Sequence, residues 1–270
     1  MKLKLTGRYF RVRPMDSPGY ECEPVELDIA KTALIGMHCW NIGCEDGPEV
    51  DPNYPVGLGS RPAYAEEDRI LREMIAPAMA AARRSGIEVC HLENHYIGLK
   101  DPRAQEDMDR SELDQELINS PETSKTAGKE VVPGWSQHIL QRSYGDYLNN
   151  SPLSQMNRAK VVEPQPGEIY AFQTGQFDRL LRRRGIENLI YTGFATDHCI
   201  MRAQGGAEAM SMRGYRIYLI RDATLGAEYL DTFELRLMTF WGVRYFETHL
   251  GDTFLFADFI EALERGAKGG

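Results

Sequence analysis

Residues 192–200 read Thr-Gly-Phe-Ala-Thr-Asp-His-Cys-Ile, and Cys199 is the side chain in that run able to form a covalent intermediate with a carbonyl carbon. The run follows an apolar segment and precedes a stretch of small residues, so it reads as a tight loop that delivers the cysteine to the first turn of a helix. A helix start favours thiolate over thiol. The same turn brings the backbone N–H groups of Ala195 and Cys199 toward one oxygen, which is what acyl transfer needs at its oxyanion. His198 comes just before, but neighbours on a helix point about 100° apart, so it is expected to face away from the thiol. Cys22, Cys39, Cys44 and Cys90 have no such surroundings and read as small core hydrophobes. Five cysteines is an odd number, and no C-x-x-C pair occurs, so neither a disulfide framework nor a zinc or redox pair is expected.

A parallel sheet binds ligands beyond the carboxyl ends of its strands. Trp40, Asn41, Glu93, His95, Tyr170, Phe172 and Gln173 fall at such positions and form the expected substrate-contacting set. Aromatics there can stack on a small planar amide, although aromatics beside a sheet also make ordinary core.

These positions follow from the pattern of elements. Residues 32–37, 87–92, 188–192 and 215–220 are short apolar runs bounded by turns, as strands covered on both faces are. Helical patterns lie between them at 66–84, closed by Ser85-Gly86, at 176–184, closed by Gly185, and at about 199–212, closed by Gly214. Further strands are expected at 159–163 and 243–248, with a helix at 231–241. The alternation predicts an α/β, doubly wound sheet of about six parallel strands with helices on both faces. The first 30 residues alternate and read as an added β hairpin or edge strand, and residues 98–158 as a long insertion near the active site. Nothing reads as a linker, so residues 1–270 are expected to form one domain.

A net charge of −9 disfavours nucleic acid and anionic membrane as partners. No apolar run approaches the roughly 18 residues of a membrane span, and the N-terminus does not read as a signal peptide, so a cytoplasmic protein is expected.

The pattern strand, G-x-A-T-D-x-C-[VI], then a helix rich in small residues (Ala203, Gly205, Gly206, Ala207, Ala209), Gly-Tyr, strand and Asp222-Ala223 resembles the isochorismatase-like cysteine hydrolases. TALIGMHCWN at the first core strand, AARRSGIEVC at the second, AFQTGQFDRLL and RDAT extend the resemblance over about residues 32–250. That family includes nicotinamidases, N-carbamoyl amidohydrolases and biuret and ureidoacrylate hydrolases. The resemblance implies hydrolysis of a C–N bond in a small amide, ureide or carbamoyl compound through a covalent Cys199 intermediate, without a cofactor, in a homo-oligomer. It also implies a cis peptide between Phe194 and Ala195.

The family's base is an Asp, and the segment Ala33–Asn41 puts His38 there; its Lys position falls on Glu163 or Pro164, with Lys160 three residues upstream. The resemblance thus implies an altered triad of Cys199, His38 and Glu163, with Glu168 as the competing carboxylate. An imidazole held by a carboxylate can activate a thiol at neutral pH. The alternative is a paralogue that binds a ligand or acts as a scaffold without cleaving. Glu93 and His95 echo a short metal motif of some relatives, but the next histidine is His138, so no metal site is expected.

Overall fold

The computed structural model describes residues 1–49, 59–112, 135–144 and 155–268. Its sheet contains β1 (Lys2–Arg11), β2 (Gly19–Asp28), β3 (Thr32–Met37), β4 (Glu88–Leu92), β5 (Ile169–Ala171), β6 (Asn188–Phe194), β7 (Arg216–Leu225) and β8 (Asp252–Phe254). The order across the sheet is β2-β1-β8-β7-β6-β3-β4-β5. From β8 to β5 every neighbouring pair is parallel, while β1 runs antiparallel to both β2 and β8. The expected six parallel strands with an N-terminal β extension are therefore present.

Burial follows this arrangement. TALIGM of β3 and NLIYTGF of β6 are buried at every position, since helices cover both faces. In β1 the burial alternates, with Leu3 and Leu5 inward and Lys2 and Lys4 in solvent. One face of the sheet is covered by α1 (Arg61–Ile70), α2 (Ala76–Ser85) and the C-terminal α9 (Phe256–Lys268). The other is covered by α5 (Thr174–Arg183), α6 (Cys199–Arg202), α7 (Ala207–Met212) and α8 (Leu237–His249). Between β4 and β5 lie α3 (His95–Gly98) and α4 (Trp135–Tyr144); the remainder of the expected 98–158 insertion falls largely outside the described residues.

Several boundaries differ from the sequence reading. The helix expected at 66–84 is three segments, because a π turn at Leu71–Ile75 separates α1 from α2 and precedes Pro77, which has no N–H to donate. The expected strand at 159–163 is a single 3₁₀ turn, Lys160–Val162. There the Arg158 guanidinium takes the Val162 carbonyl at 2.9 Å, and Pro164 follows at once. The segment 243–248 is helical, since Val243 and Phe246, three apart, are buried together on one side of α8. The last strand is instead Asp252–Phe254. The helix at 231–241 begins only at Leu237, and the one at 199–212 breaks at Gly205-Gly206 into α6 and α7. The C-terminal segment adds to the core: Phe254, Phe259, Ala262 and Leu263 are all buried.

Candidate active site

Connections from β3 run outward through β4 to β5, then cross back to β6 on the other side of β3. The switch in winding direction therefore lies between β3 and β6, with Met37 opposite Gly193 in register. A crevice beyond this point is where such sheets bind ligands. His38 follows one of the two strands and the Cys199 loop follows the other.

Threonines brace the loop. Thr192 Oγ1 donates to the Ile35 carbonyl at 3.0 Å, Thr224 Oγ1 to the Gly193 carbonyl at 2.7 Å, and Thr196 Oγ1 lies 2.7 Å from Thr224 Oγ1. The Phe194–Ala195 peptide is cis. The Ala195 carbonyl accepts from His198 N–H at 3.2 Å and Ile200 N–H at 3.1 Å, which curls the chain around the cysteine. Burial pushes the Cys199 thiol up to about 11, against the Ala195 N–H that faces the sulfur and in concert with the Asp197 charge. α6 has only four residues, so the helix-start stabilisation of thiolate expected from sequence is not available in strength.

A cavity of about 630 Å³ opens at this loop, lined by Asp197, His198, Cys199, Arg202, Ala203, Met238 and Trp241. His198 thus shares a cavity with Cys199, contrary to the expectation from helix geometry. The reason is local. His198 caps the helix with φ −128° and ψ −88°, so the step to Cys199 is not a helical one. His198 Nδ1 lies 2.9 Å from Asp197 Oδ2, and the Asp197 carboxylate is buried while its other oxygen accepts from Ala227 N–H at 2.8 Å. The contact with Asp197 raises the imidazole pKa above its ordinary value, against partial desolvation.

The expected relay of Cys199, His38 and Glu163 is not assembled. His38 is buried with φ 45°, stacked on Trp40 at 4.9 Å, and the contact its ring makes is with the Glu93 backbone, not with Cys199 or Glu163. Burial lowers its pKa to about 3, so the ring is neutral. Glu163 follows a 3₁₀ turn rather than a strand and accepts from Arg103 Nη1 at 2.8 Å at the surface. Glu168 does meet a histidine, but it is His91, at 2.8 Å, with Arg83 at 2.6 Å on the other oxygen. Lys160 lines a separate surface cavity with Glu45, Asp46, Arg72 and Val161.

The expected substrate contacts are mostly structural. Trp40 and Tyr170 are buried, and Phe172 packs tightly on Gly98, whose added Cβ would lie 2.3 Å from its ring. Asn41 clamps two loops, donating to the Asp46 carbonyl at 2.9 Å and accepting from Asn157 N–H at 3.0 Å. Gln173 holds the Asp109 backbone through both its N–H and C=O ends. His95 opens α3 with its ring 4.1 Å from that of Tyr96. Glu93 is buried in an ion pair with Arg158, which sequence reasoning missed because nothing in Asn-Arg-Ala-Lys marks a buried arginine. Met238 and Trp241 were missed because nothing in 231–241, read as a helix, marks it as packing beside the Cys199 loop, which the contact of Gly242 with Thr196 and Asp197 reveals. Among the described residues no group of three or more His, Cys, Asp or Glu is arranged to hold a metal ion.

Sheet order, switch point and braced cysteine loop give an isochorismatase-like α/β fold, and the chain is similar in part of its sequence to the isochorismatase family. The isochorismatase domain model matches residues 160–239, which include the Cys199 loop. Ureidoacrylate amidohydrolase RutB of Azorhizobium caulinodans is 24% identical over 238 residues, 82% of this chain and 88% of that protein. RutB of Methylorubrum extorquens is 29% identical over 185 residues, 66% of this chain and 64% of that protein. A cysteine hydrolase from Pseudomonas syringae pv. phaseolicola shares the fold, with a TM-score of 0.50 at 16% identity over 88% of this chain and 95% of that one.

Proposed function

We propose that this protein hydrolyses a C–N bond in a small non-peptide amide, ureide or carbamoyl compound, with Cys199 Sγ attacking the carbonyl carbon. The observation that carries this reading is the position of Cys199, a half-buried residue that lines a cavity, with the Ala195 N–H facing its sulfur. The backbone N–H groups of Ala195 and Cys199 are the donors for the oxyanion that forms on attack. Met238 and Trp241 supply an apolar wall for the body of the substrate, and Arg202 supplies a cation for an anionic substituent. The likeness to ureidoacrylate amidohydrolases supports the reaction class, a carbamoyl nitrogen on a small acid. We read the protein as a cytoplasmic homo-oligomer.

Ammonia release across nicotinamide, biuret, guanylurea, ureidoacrylate and N-carbamoyl amino acids tests the reading. Turnover of at least one of them, abolished by Cys199→Ala, is the expected result. Full-rate release by Cys199→Ala would reject the nucleophile. A second reading, a paralogue that binds but does not cleave, is favoured by one observation, the buried, neutral His38 at the position the resemblance gives to the catalytic base. Ligand binding with no turnover and no Cys199 adduct would select it.

A further inference from the structure

We propose that His198, oriented by Asp197, is the acid–base residue that works with Cys199. This rests on the reading of Cys199 as the nucleophile and supplies the proton acceptor that His38 does not. Three observations carry it. His198 and Cys199 line one cavity of about 630 Å³. The Asp197 carboxylate, 4% exposed and fixed through its second oxygen to Ala227 N–H, lies 2.9 Å from His198 Nδ1. The contact is an ion-pair approach, since Asp197 Oδ2 makes no aligned hydrogen bond; a proton on Nδ1 faces the carboxylate there, and Nε2 is the ring nitrogen for chemistry.

The steps balance without another reagent. Neutral Nε2 takes the Sγ–H proton as sulfur bonds to the carbonyl carbon, giving imidazolium and a tetrahedral oxyanion. Collapse of the oxyanion breaks the C–N bond, and Nε2–H protonates the departing nitrogen. A water then loses a proton to Nε2 as its oxygen attacks the acyl-sulfur carbon. The C–S bond breaks, and the proton returns to sulfur. The Asp197 carboxylate exchanges no proton in these steps and stabilises the imidazolium. Because burial keeps Cys199 a thiol at neutral pH, a base acting during attack is what the site requires.

The charged groups acting on His198 are Asp197 and Arg202. Among the described residues, α8 contributes Met238 and Trp241 to the cavity lining, and Glu228 is held by Thr239 N–H and Oγ1 at 2.8 Å. The carboxylate raises the imidazole pKa, so the acidic limb of the rate profile should lie above the ordinary histidine value near 6.5. Asp197→Asn removes that charge, so the limb should move to lower pH.

The test measures kcat against pH for wild type, His198→Gln and Asp197→Asn, and the pH dependence of Cys199 alkylation by iodoacetamide for all three, with circular dichroism to confirm folding. We expect His198→Gln to lower kcat by about 100-fold or more and to abolish the acidic limb, and Asp197→Asn to shift that limb. In alkylation, wild type should show an inflection from the imidazole that is missing in His198→Gln. If turnover exists and His198→Gln keeps its rate and acidic limb, the proposal is overturned while the nucleophile stands. If no substrate turns over, the hydrolase reading fails, and the alkylation profile decides the pairing alone: superimposable wild-type and His198→Gln curves would overturn it.

Discussion

Arg158 and Glu93 meet in the interior, the guanidinium also reaching the Val162 carbonyl at 2.9 Å and that of Gly36 at 3.3 Å. A buried pair of this kind contributes little net stability, but removing one partner strands the other charge. Arg158→Ala should therefore destabilise by about 3–5 kcal/mol in urea unfolding, while the double variant Glu93→Gln, Arg158→Met should recover most of that loss. Glu168 gives the corresponding pH effect. Burial works to raise its pKa, but His91, Arg83 and Gln165 N–H outweigh it and hold the carboxyl at about 2. Its folded pKa is depressed, so its stabilisation is complete above the unfolded value of 4.5 and is lost as pH falls toward about 2. Unfolding curves of wild type and Glu168→Gln should differ by about 2 kcal/mol at pH 6 and converge near pH 2; a constant difference would rule this linkage out. The loop that carries Cys199 was legible because residues on both sides of the cysteine mark it. The partners of His38, Glu163 and Glu168 were not, because which histidine meets which carboxylate is decided between segments far apart in the chain, such as β4 and the turn before β5.

At the level of elements, the β3 and β6 pairing positions everything beyond it. Gly193 sits in this pair with φ 104°, and an added Cβ would lie 2.0 Å from the Met37 carbonyl oxygen. Gly193→Ala must therefore separate the two strands at the point where the Cys199 loop begins. We expect a loss of about 3 kcal/mol or more in stability, with Cys199 alkylation altered in whatever fraction still folds. Unchanged melting temperature and alkylation would contradict it. The core strands and the glycine-closed helices were readable from continuous apolar runs and from Gly86, Gly185 and Gly214, all at positive φ. The segment 243–248 was not, because Val-Arg-Tyr-Phe-Glu-Thr has strand-forming composition and only its packing partners reveal the helical spacing.

Across the whole molecule, one group of solvent-open apolar side chains gathers around the start of α8: Leu230 and Leu235 are 79% and 72% exposed, and Phe240 is 57% exposed. A homo-oligomer should use this face, which adjoins the Cys199 cavity through Trp241 and Met238. Phe240→Asp should then reduce the mass in light scattering to that of a single chain; an unchanged assembly would place the contact elsewhere. The order of strands has another consequence. β1, made first, pairs with β8, made nearly last, through Arg8 opposite Thr253, and the Arg8 guanidinium reaches Glu247 at 2.7 Å. During synthesis the β1–β2 hairpin can form by itself, since its two strands are joined by a short turn, but it has no edge to join until β8, far along the chain, has emerged. Its inward face, Leu3, Leu5, Val25 and Leu27, must wait uncovered through most of translation. This end of the sheet should be the last to gain protease resistance in a growing chain, and the segment most dependent on holding chaperones before release.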